Sequence, residues 1–303
     1  TFDKAGVYDL KGKIKDSNLV VTTQINVVEN MVDEMWSTTN FVGNASNVTF
    51  NVPDKTSLPA FDNDRSRLFR SNSEEEASFK GQLVRELIAR VTSDHLIGQK
   101  FKNGEMRKKI VEPPWRCPAG FEMEEIHLPL FSMEYLTKTE GRREDRVLLQ
   151  LHGGGYVGKI HNTYRSFAVL YAEAGKGMDV LSIDYRVAPE NPFPAALEDA
   201  ITAFDWLREV KGFTEDEIYL GGDSAGGGLC MALCHYLKDH GRKLPRGIVA
   251  MSPWTDMTAS GPSYDDNYEK DPLFGKTRDS LIYSTDYRQD HDPKNPYLSP
   301  LFG

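Results

Sequence analysis

The feature that most constrains the fold of this chain is an alternation of short apolar runs with helical stretches between residues 121 and 251. Continuous apolar runs occupy 147–151, 180–183, 218–220 and 248–251, and stretches with helical periodicity lie between them at 162–175, 195–210 and 225–239. Strands that are apolar throughout are typical of parallel sheets buried on both faces. Residues 121–128 and 133–138 have the pattern of an antiparallel pair that opens the sheet. The sequence therefore predicts an α/β fold, with a mostly parallel sheet and helices on both faces.

The residues before 121 follow a different pattern and form an N-terminal extension. Helical spacing of apolar side chains predicts helices at about 20–36 and 74–93, and Ser73 opens a capping box for the second helix. Alternating apolar residues predict a short strand at 48–52. The predicted domain boundary therefore lies at residue 120, with the α/β core at 121–303.

Composition and charge argue against two classes of binding partner, nucleic acids and membranes. The chain has 303 residues, of which 39% are hydrophobic, and a formal net charge of -9. A surface with this excess of negative charge repels phosphate backbones and anionic lipid, so neither nucleic acid nor a membrane is expected as a partner. No apolar run approaches the roughly 20 residues of a bilayer span, and no signal peptide is visible, so the expected location is cytoplasmic.

The cysteines do not indicate special chemistry. Cys117, Cys230 and Cys234 are an odd number without the paired spacing of a disulfide framework. Cys230 and Cys234 are four residues apart on a predicted helix, which favours buried packing over metal or redox chemistry. No metal site is predicted.

The segment Gly222-Asp223-Ser224-Ala225-Gly226 is the strongest chemical signal in the sequence. It matches the G-x-S-x-G pattern and lies between a predicted strand and a predicted helix, as a nucleophile elbow requires. The turn is sharp, so side chains two residues to either side of the serine would clash with neighbouring backbone. The following helix N-terminus favours negative charge. Ser224 is therefore the candidate nucleophile.

A second glycine-rich motif, His152-Gly153-Gly154-Gly155, follows directly after the 147–151 strand. Glycines at this position let backbone N–H groups approach a substrate without interference from side chains. Two of these N–H groups, together with that of Ala225, would hold the oxyanion of a tetrahedral intermediate.

The same segment offers an alternative interpretation as a phosphate-binding P-loop. Gly153, Gly158 and Lys159 satisfy the G-x-x-x-x-G-K part of that motif. Ile160 then stands where a serine or threonine would bind magnesium, and we find no second acidic strand motif to hold the metal. These departures argue against nucleotide binding.

Five motifs occur in one order and together carry a family resemblance. They are His152-Gly153-Gly154-Gly155-Tyr156, Asp184-Tyr185-Arg186-Val187-Ala188-Pro189-Glu190, Pro192-Phe193-Pro194-Ala195, Gly222-Asp223-Ser224-Ala225-Gly226-Gly227 and Ser252-Pro253-Trp254-Thr255-Asp256. Over residues 120–303 the chain resembles the hormone-sensitive-lipase-like (bacterial family IV) carboxylesterases of the α/β-hydrolase superfamily. The resemblance implies an α/β-hydrolase core at 121–303 and, within residues 1–120, an extension with a helical cap over the site.

The resemblance also implies roles for the two glycine-containing motifs. Ser224 would be the nucleophile of a serine carboxylesterase, and Gly154, Gly155 and Ala225 would donate to the oxyanion. Gly153 would shape the turn or share the oxyanion role.

Further implications concern the surroundings and the substrate. His152 would support the glycine loop, and residues 184–190 would brace the site. The substrate would be a small-molecule ester with a short acyl group, acetyl among them, and neither a metal nor an organic cofactor would be needed. A homo-oligomeric state stays open.

A serine nucleophile needs a base and an orienting carboxylate, and in this superfamily an acid and then a histidine follow the serine. Residues 252–303 contain polar loop and a predicted helix near 276–285, without two further strand–helix units. We therefore expect the natural protein to be longer, with its last strands, its Asp and its His after residue 303, or this chain to be a truncated or atypical form. His291 is the remaining candidate base within the chain, since His235 and His240 lie on the helix after the elbow.

Two other functions fit the same residues. A protein that keeps the pocket and lacks the base would be a non-catalytic small-molecule-binding protein on the same fold. An Asp followed by a His after residue 303 would favour the enzyme instead. Residues 1–72, in which we find no catalytic motif, would serve assembly if the chain were a non-catalytic fragment.

Overall fold

The structure, a computed structural model, describes residues 6–13, 20–27, 79–92, 95–109 and 111–303. Contacts within the chain divide it into two units, Thr1–Gln82 and Leu83–Gly303. The second unit contains the sheet and the candidate site. The domain boundary expected at residue 120 stays a prediction.

In the first unit, two antiparallel strands pair along their whole length. β1 (Gly6–Lys13) lies opposite β2 (Val20–Val27). The helix predicted at 20–36 is therefore wrong over 20–27. β2 consists mostly of valine, threonine and isoleucine, whose branched side chains favour strands, and this preference outweighs the helical spacing. The strand predicted at 48–52 and the capping box at Ser73 lie outside the described residues.

Three helices precede the sheet. They are α1 (Phe79–Thr92), α2 (His95–Lys102) and α3 (Glu105–Lys109). α1 lies within the helix predicted at 74–93 and confirms it. The Thr92 hydroxyl donates to the carbonyl oxygen of Pro272 at 2.9 Å, which ties the end of α1 to the C-terminal segment.

A six-stranded sheet forms the centre of the second unit. Its strands are β3 (Phe121–His127), β4 (Ser132–Lys138), β5 (Arg143–Leu151), β6 (Met178–Asp184), β7 (Ile218–Asp223) and β8 (Gly247–Met251). The strand order is β3-β4-β6-β5-β7-β8, and β4 is antiparallel to both of its neighbours. All other neighbours are parallel. The structure thus confirms the mostly parallel sheet with an antiparallel pair at its start.

Helices cover both faces of this sheet, as predicted. They are α4 (Asn162–Ala174), α5 (Ala195–Glu209) and α6 (Ser224–Asp239). Leu148 of β5 packs in a core that contains Ala168 of α4, while the next residue, Leu149, packs in a second core with Phe204 of α5. Cys230 of α6 also lies in the second core, which is the packing role expected of it. No helix in the described part of the chain is long and apolar enough to cross a bilayer.

Parallel pairing brings the carboxyl ends of β5 and β7 together. Leu151, the last residue of β5, lies opposite Gly222 of β7. The loop that follows β5 and the turn that follows β7 therefore start side by side at one edge of the sheet. Open α/β sheets place their ligand sites at this edge.

β8 forms one edge of the sheet, and among the described residues it pairs with β7 alone. Although the strand is apolar throughout, Ile248, Val249 and Met251 are exposed by 38%, 49% and 39%. Ile248 and Val249 are adjacent and point to opposite faces. Both faces of this strand are therefore partly uncovered in the part of the chain that the structure describes.

The segment after β8 consists mainly of turns. It contains the four-residue helix α7 (Ser263–Asp266) and a final 3-10 turn at Pro300–Phe302. The helix predicted near 276–285 is wrong, because the structure has only turns and bends there. Side chains of Asp271 and Thr277 accept hydrogen bonds from backbone amides two residues later, and such local bonds compete with helix formation.

One buried and one exposed valine provide a test of the position of β8 at the edge of the sheet. Val147→Ala, at a fully buried position of β5, should lower the free energy of unfolding by about 2–3 kcal/mol, because it removes methyl groups from a packed core. Val249→Ala on the exposed edge strand should cost less than about 1 kcal/mol. Urea unfolding with equal m-values measures both, and equal losses would contradict the placement of β8 at the edge.

Candidate active site

Ser224 stands at the sharp junction between β7 and α6. Its φ is 50°, in the left-handed region that residues with a side chain rarely adopt. A side chain on Gly222 would collide with the backbone of Gly226, and one on Gly226 would collide with the carbonyl oxygens of Leu151 and His152. Close approach of these backbone segments therefore explains both glycines of the G-x-S-x-G pattern.

The glycine loop after β5 turns beside this junction. Gly154 and Gly155 have φ angles of 108° and 63°, which favour glycine, and both line the same cavity as Ser224. Their amides donate no hydrogen bond to any described residue. The Ala225 amide lies in the first turn of α6, where N–H groups have no intrahelical partner. The assignment of these three amides as oxyanion donors stays a prediction.

The Gly153 amide, in contrast, is already engaged. It donates to Tyr164 Oη at 2.8 Å and to Asp223 Oδ1 at 3.1 Å. The Tyr164 hydroxyl in turn donates to Asp223 Oδ2 at 3.2 Å. Because this N–H is shared by two acceptors, it is not free for a substrate oxygen. The geometry favours Gly153 as the residue that shapes the turn over a shared oxyanion role.

His152 is buried under the loop, where its ring stacks on Tyr185 with 4.0 Å between centroids. Its Nδ1 lies 2.7 Å from the carbonyl oxygen of Gly153, and since a carbonyl only accepts, Nδ1 carries the proton. Nε2 is buried with no hydrogen-bond partner in the described chain. Burial lowers the pKa of His152 to about 4, so the ring is neutral at pH 7 and supports the loop by packing.

The segment 184–190 braces the glycine loop, as expected. The Tyr185 hydroxyl donates to the carbonyl oxygen of His152 at 2.6 Å. The Ala188 amide donates to the carbonyl oxygen of Tyr156 at 2.8 Å. The loop is therefore held from the neighbouring segment at both of its ends.

The loop geometry does not support the phosphate-binding alternative. Lys159 Nζ lies 3.2 Å from Asp184 Oδ2, so its charge is already paired. The amides of Val157 and Gly158 both donate to the carbonyl oxygen of Gly154 and close a turn. They are not free to surround a phosphate in the way that a P-loop requires.

A cavity of about 510 Å³ opens beside Ser224. Its walls come from the glycine loop and the elbow, from the turn after β8, from residues 263–283 and from α2. Beyond the loop and elbow, the lining is mostly aromatic or aliphatic and includes Phe101, Pro253, Trp254, Tyr264, Tyr268, Leu273, Phe274, Leu281, Ile282 and Tyr283. A concave apolar site with a few polar groups is typical of small-molecule binding.

The histidines that follow the elbow do not line this cavity. Among the described lining residues none is a histidine. His235 lies in the C-terminal half of α6 and His240 directly follows that helix. His291 is exposed and packs edge-on against Phe193, with 5.0 Å between ring centroids. The structure thus does not place the candidate base His291 in the cavity of Ser224.

Sequence reasoning missed Tyr164 and most of the cavity wall. Tyr164 lies in the first turn of α4 and meets Asp223 only through the fold. Residues 263–283 carry no motif, and their role depends on how the turns after β8 fold back over Ser224. Asp223 was visible within the elbow, but nothing in the pattern indicated its partner.

Known proteins resemble this chain in sequence. A model of the alpha/beta hydrolase fold family matches residues 148–303. An acetyl-hydrolase of Streptomyces hygroscopicus is 38% identical over 162 residues, which cover 54% of this chain and 53% of the relative. The hormone-sensitive lipase of Mus musculus is 36% identical over 121 residues, which cover 39% of this chain and 16% of that protein. The chain thus spans about half the length of the acetyl-hydrolase and a smaller share of the lipase.

Solved structures resemble it as well. An esterase from the bacterial hormone-sensitive lipase family is 32% identical, with a TM-score of 0.59 over 76% of this chain and 75% of that one. An esterase/lipase from an uncultured bacterium is 29% identical, with a TM-score of 0.59 over 75% of this chain and 74% of that one.

Adding one methyl group tests the close approach at the elbow. Gly226→Ala should lower the free energy of unfolding by about 1–3 kcal/mol or more, because the colliding carbonyl oxygens belong to the end of β5 and its loop. Gly98→Ala on α2 is the matched control, since no described atom outside its own helix backbone lies within 4 Å of the added Cβ and alanine favours a helix. If chemical denaturation finds Gly226→Ala as stable as the unmodified protein, Gly226 does not lie this close to the carbonyl oxygens of Leu151 and His152.

The buried ring of His152 predicts a pH dependence of stability. Below pH 6.5 the unfolded chain takes up a proton that the folded ring, with a pKa of about 4, does not. Stability from this group is therefore present above pH 6.5 and falls as the pH approaches 4, by about 3 kcal/mol. His152→Asn should lack this slope, and the exposed His127→Asn should retain it. Unfolding midpoints of the unmodified protein and of both variants, measured from pH 7 to pH 4, test this prediction. Parallel curves for all three proteins would refute the assigned role of His152 in the pH dependence.

Proposed function

The chain belongs to the bacterial hormone-sensitive lipase family of the α/β-hydrolase fold, and we propose that it is a serine carboxylesterase with Ser224 as its nucleophile. One observation supports this most directly. Ser224, on a strained turn, lines the same cavity as Gly154 and Gly155, whose amides donate to no residue that the structure describes. A hydroxyl and backbone N–H groups around one space are what acyl transfer requires.

The proposed reaction has two stages. Ser224 Oγ attacks the ester carbonyl carbon while a general base takes its proton, and the carbonyl oxygen becomes an oxyanion. The amides of Gly154, Gly155 and Ala225 stabilise that charge, and one such donor lowers a barrier by about 3–4 kcal/mol. The intermediate expels the alcohol and leaves the acyl group on Ser224, from which water releases the carboxylic acid. This chemistry needs neither a metal nor an organic cofactor.

We assign short acyl groups, acetyl first, as the substrate class. The cavity beside Ser224 has about 510 Å³ and an apolar, largely aromatic wall, which suits a small acyl group together with part of the alcohol. The similarity to a protein named acetyl-hydrolase supports the same class.

A second candidate function is a small-molecule-binding protein on the same fold. It is favoured by one observation, the lack of a histidine among the described residues that line the cavity. Without a base, a serine and an oxyanion hole retain only a small residual rate. Such a protein would bind an ester and release it unchanged.

Hydrolysis of p-nitrophenyl acetate by the full-length natural protein tests the first candidate. Ser224→Ala should lower kcat by about 10⁴-fold or more, because the nucleophile is lost. Ser166→Ala, on α4 and outside the lining of the cavity, should keep the unmodified rate. Absorbance of the released p-nitrophenolate measures both. Equal hydrolysis by the unmodified protein and Ser224→Ala would overturn the proposal, and saturable binding of the ester without turnover would support the second candidate.

A further inference from the structure

We infer that Asp223 and Tyr164 are positioning residues that hold the oxyanion-binding loop against the nucleophile elbow through the amide of Gly153. The inference rests on the proposed function of this site. It assigns Asp223, at a variable position of the G-x-S-x-G pattern, and Tyr164, outside every motif, to the same task.

The contacts form a closed triangle. The Gly153 amide donates to Tyr164 Oη at 2.8 Å and to Asp223 Oδ1 at 3.1 Å, and the Tyr164 hydroxyl donates to Asp223 Oδ2 at 3.2 Å. Each of the three groups is therefore hydrogen-bonded to both of the others. We call these three residues the Gly153 clamp.

Two members of the clamp are sequence neighbours of the groups proposed to carry out the reaction. Asp223 directly precedes the nucleophile Ser224, and Gly153 directly precedes Gly154, the first proposed oxyanion donor. The clamp thus joins the two backbone segments that must keep a fixed distance if a substrate carbonyl is to reach both. A loop with three successive glycines has unusual conformational freedom, so it needs such an anchor.

The Asp223 side chain bonds to the glycine loop and does not cap its own helix. It is the N-cap residue of α6, a position where an aspartate normally accepts a hydrogen bond from a first-turn amide. Here its side chain makes no capping bond and turns to Gly153 and Tyr164. First-turn amides of α6, that of Ala225 included, are consequently not used by the cap and stay available to a substrate oxygen.

The clamp is tight and sheltered. A Cβ on Gly153 would collide with the Asp223 carboxylate and lie 2.9 Å from the Tyr164 hydroxyl, so a side chain there would require the other two members to move. Tyr164 is 6% exposed. Burial raises the pKa of Asp223 and of Tyr164.

Three substitutions separate the members of the clamp. Asp223→Ala removes one acceptor of the Gly153 amide and the acceptor that orients the Tyr164 hydroxyl, and should lower kcat/KM for p-nitrophenyl acetate by about 100-fold, since a small misplacement of catalytic groups is costly. Tyr164→Phe removes one acceptor and leaves the other, and should cost about tenfold or less. Asp223→Asn keeps an oxygen that can accept from Gly153 and should recover part of the loss. Tyr171→Phe, two turns further along α4 and with no hydrogen bond from its hydroxyl in the described chain, should have no effect.

A second readout distinguishes positioning from general destabilisation. Phenylboronic acid forms a tetrahedral adduct with an active-site serine, and one of its oxygens occupies the oxyanion position. Its inhibition constant should rise across the variants in proportion to the loss of kcat/KM. Loss of folded protein alone would lower the active fraction and leave the inhibition constant unchanged, so an unchanged constant would overturn the inference.

Hydrogen exchange separates failure of the clamp from failure of the proposed function. Amides of residues 152–158 should exchange faster in Asp223→Ala and Tyr164→Phe than in Tyr171→Phe, whether or not the protein hydrolyses esters. Unchanged exchange in this segment, or unchanged kcat/KM in an active protein, would overturn the clamp. Equal activity of the unmodified protein and Ser224→Ala would instead overturn the proposed function, and with it the catalytic consequence of the clamp.

Discussion

The site depends first on the close approach of α6 to the end of β5. Gly226 lies so near the carbonyl oxygens of Leu151 and His152 that no side chain fits between them. The parallel pairing of Leu151 with Gly222 fixes the register of the two strands, and the absence of side chains at Gly222 and Gly226 lets the helix start close to the glycine loop. The position of Ser224 relative to that loop follows from these two backbone constraints.

A second group of contacts keeps the glycine loop in one conformation. Tyr185 holds the carbonyl of His152, and the ring of His152 stacks on Tyr185. Arg107 of α3 donates to the carbonyl oxygens of Val157 and Ala188, so one guanidinium joins the loop, the bracing segment and a helix that precedes the sheet. Polar side chains here stabilise backbone, and the apolar cores of the sheet supply the rigid frame on which they act.

Much of the fold could be predicted from the sequence, because its signals are local. Continuous apolar runs identified β5 to β8, and helical spacing identified α4 to α6. The N-terminal strand β2 was predicted wrongly because branched residues at helical spacing give conflicting signals, and the helix predicted near 276–285 was wrong because polar side chains there bond to nearby amides. Ser224 and the glycine loop could be predicted from motifs. Tyr164 and the cavity wall could not, because they reach the site only through tertiary packing.

The edge position of β8 in the described sheet has a consequence for what can pair with this strand. In the part of the chain that the structure describes, the outer side of β8 pairs with no strand, and an edge strand with exposed Ile248, Val249 and Met251 offers a template onto which another strand can add. Natural sheets suppress such aggregation with lysine, proline or a bulge at the edge, and β8 contains none of these. The outer side of β8 is therefore where a further strand, from this protein or from a second molecule, would add to the sheet.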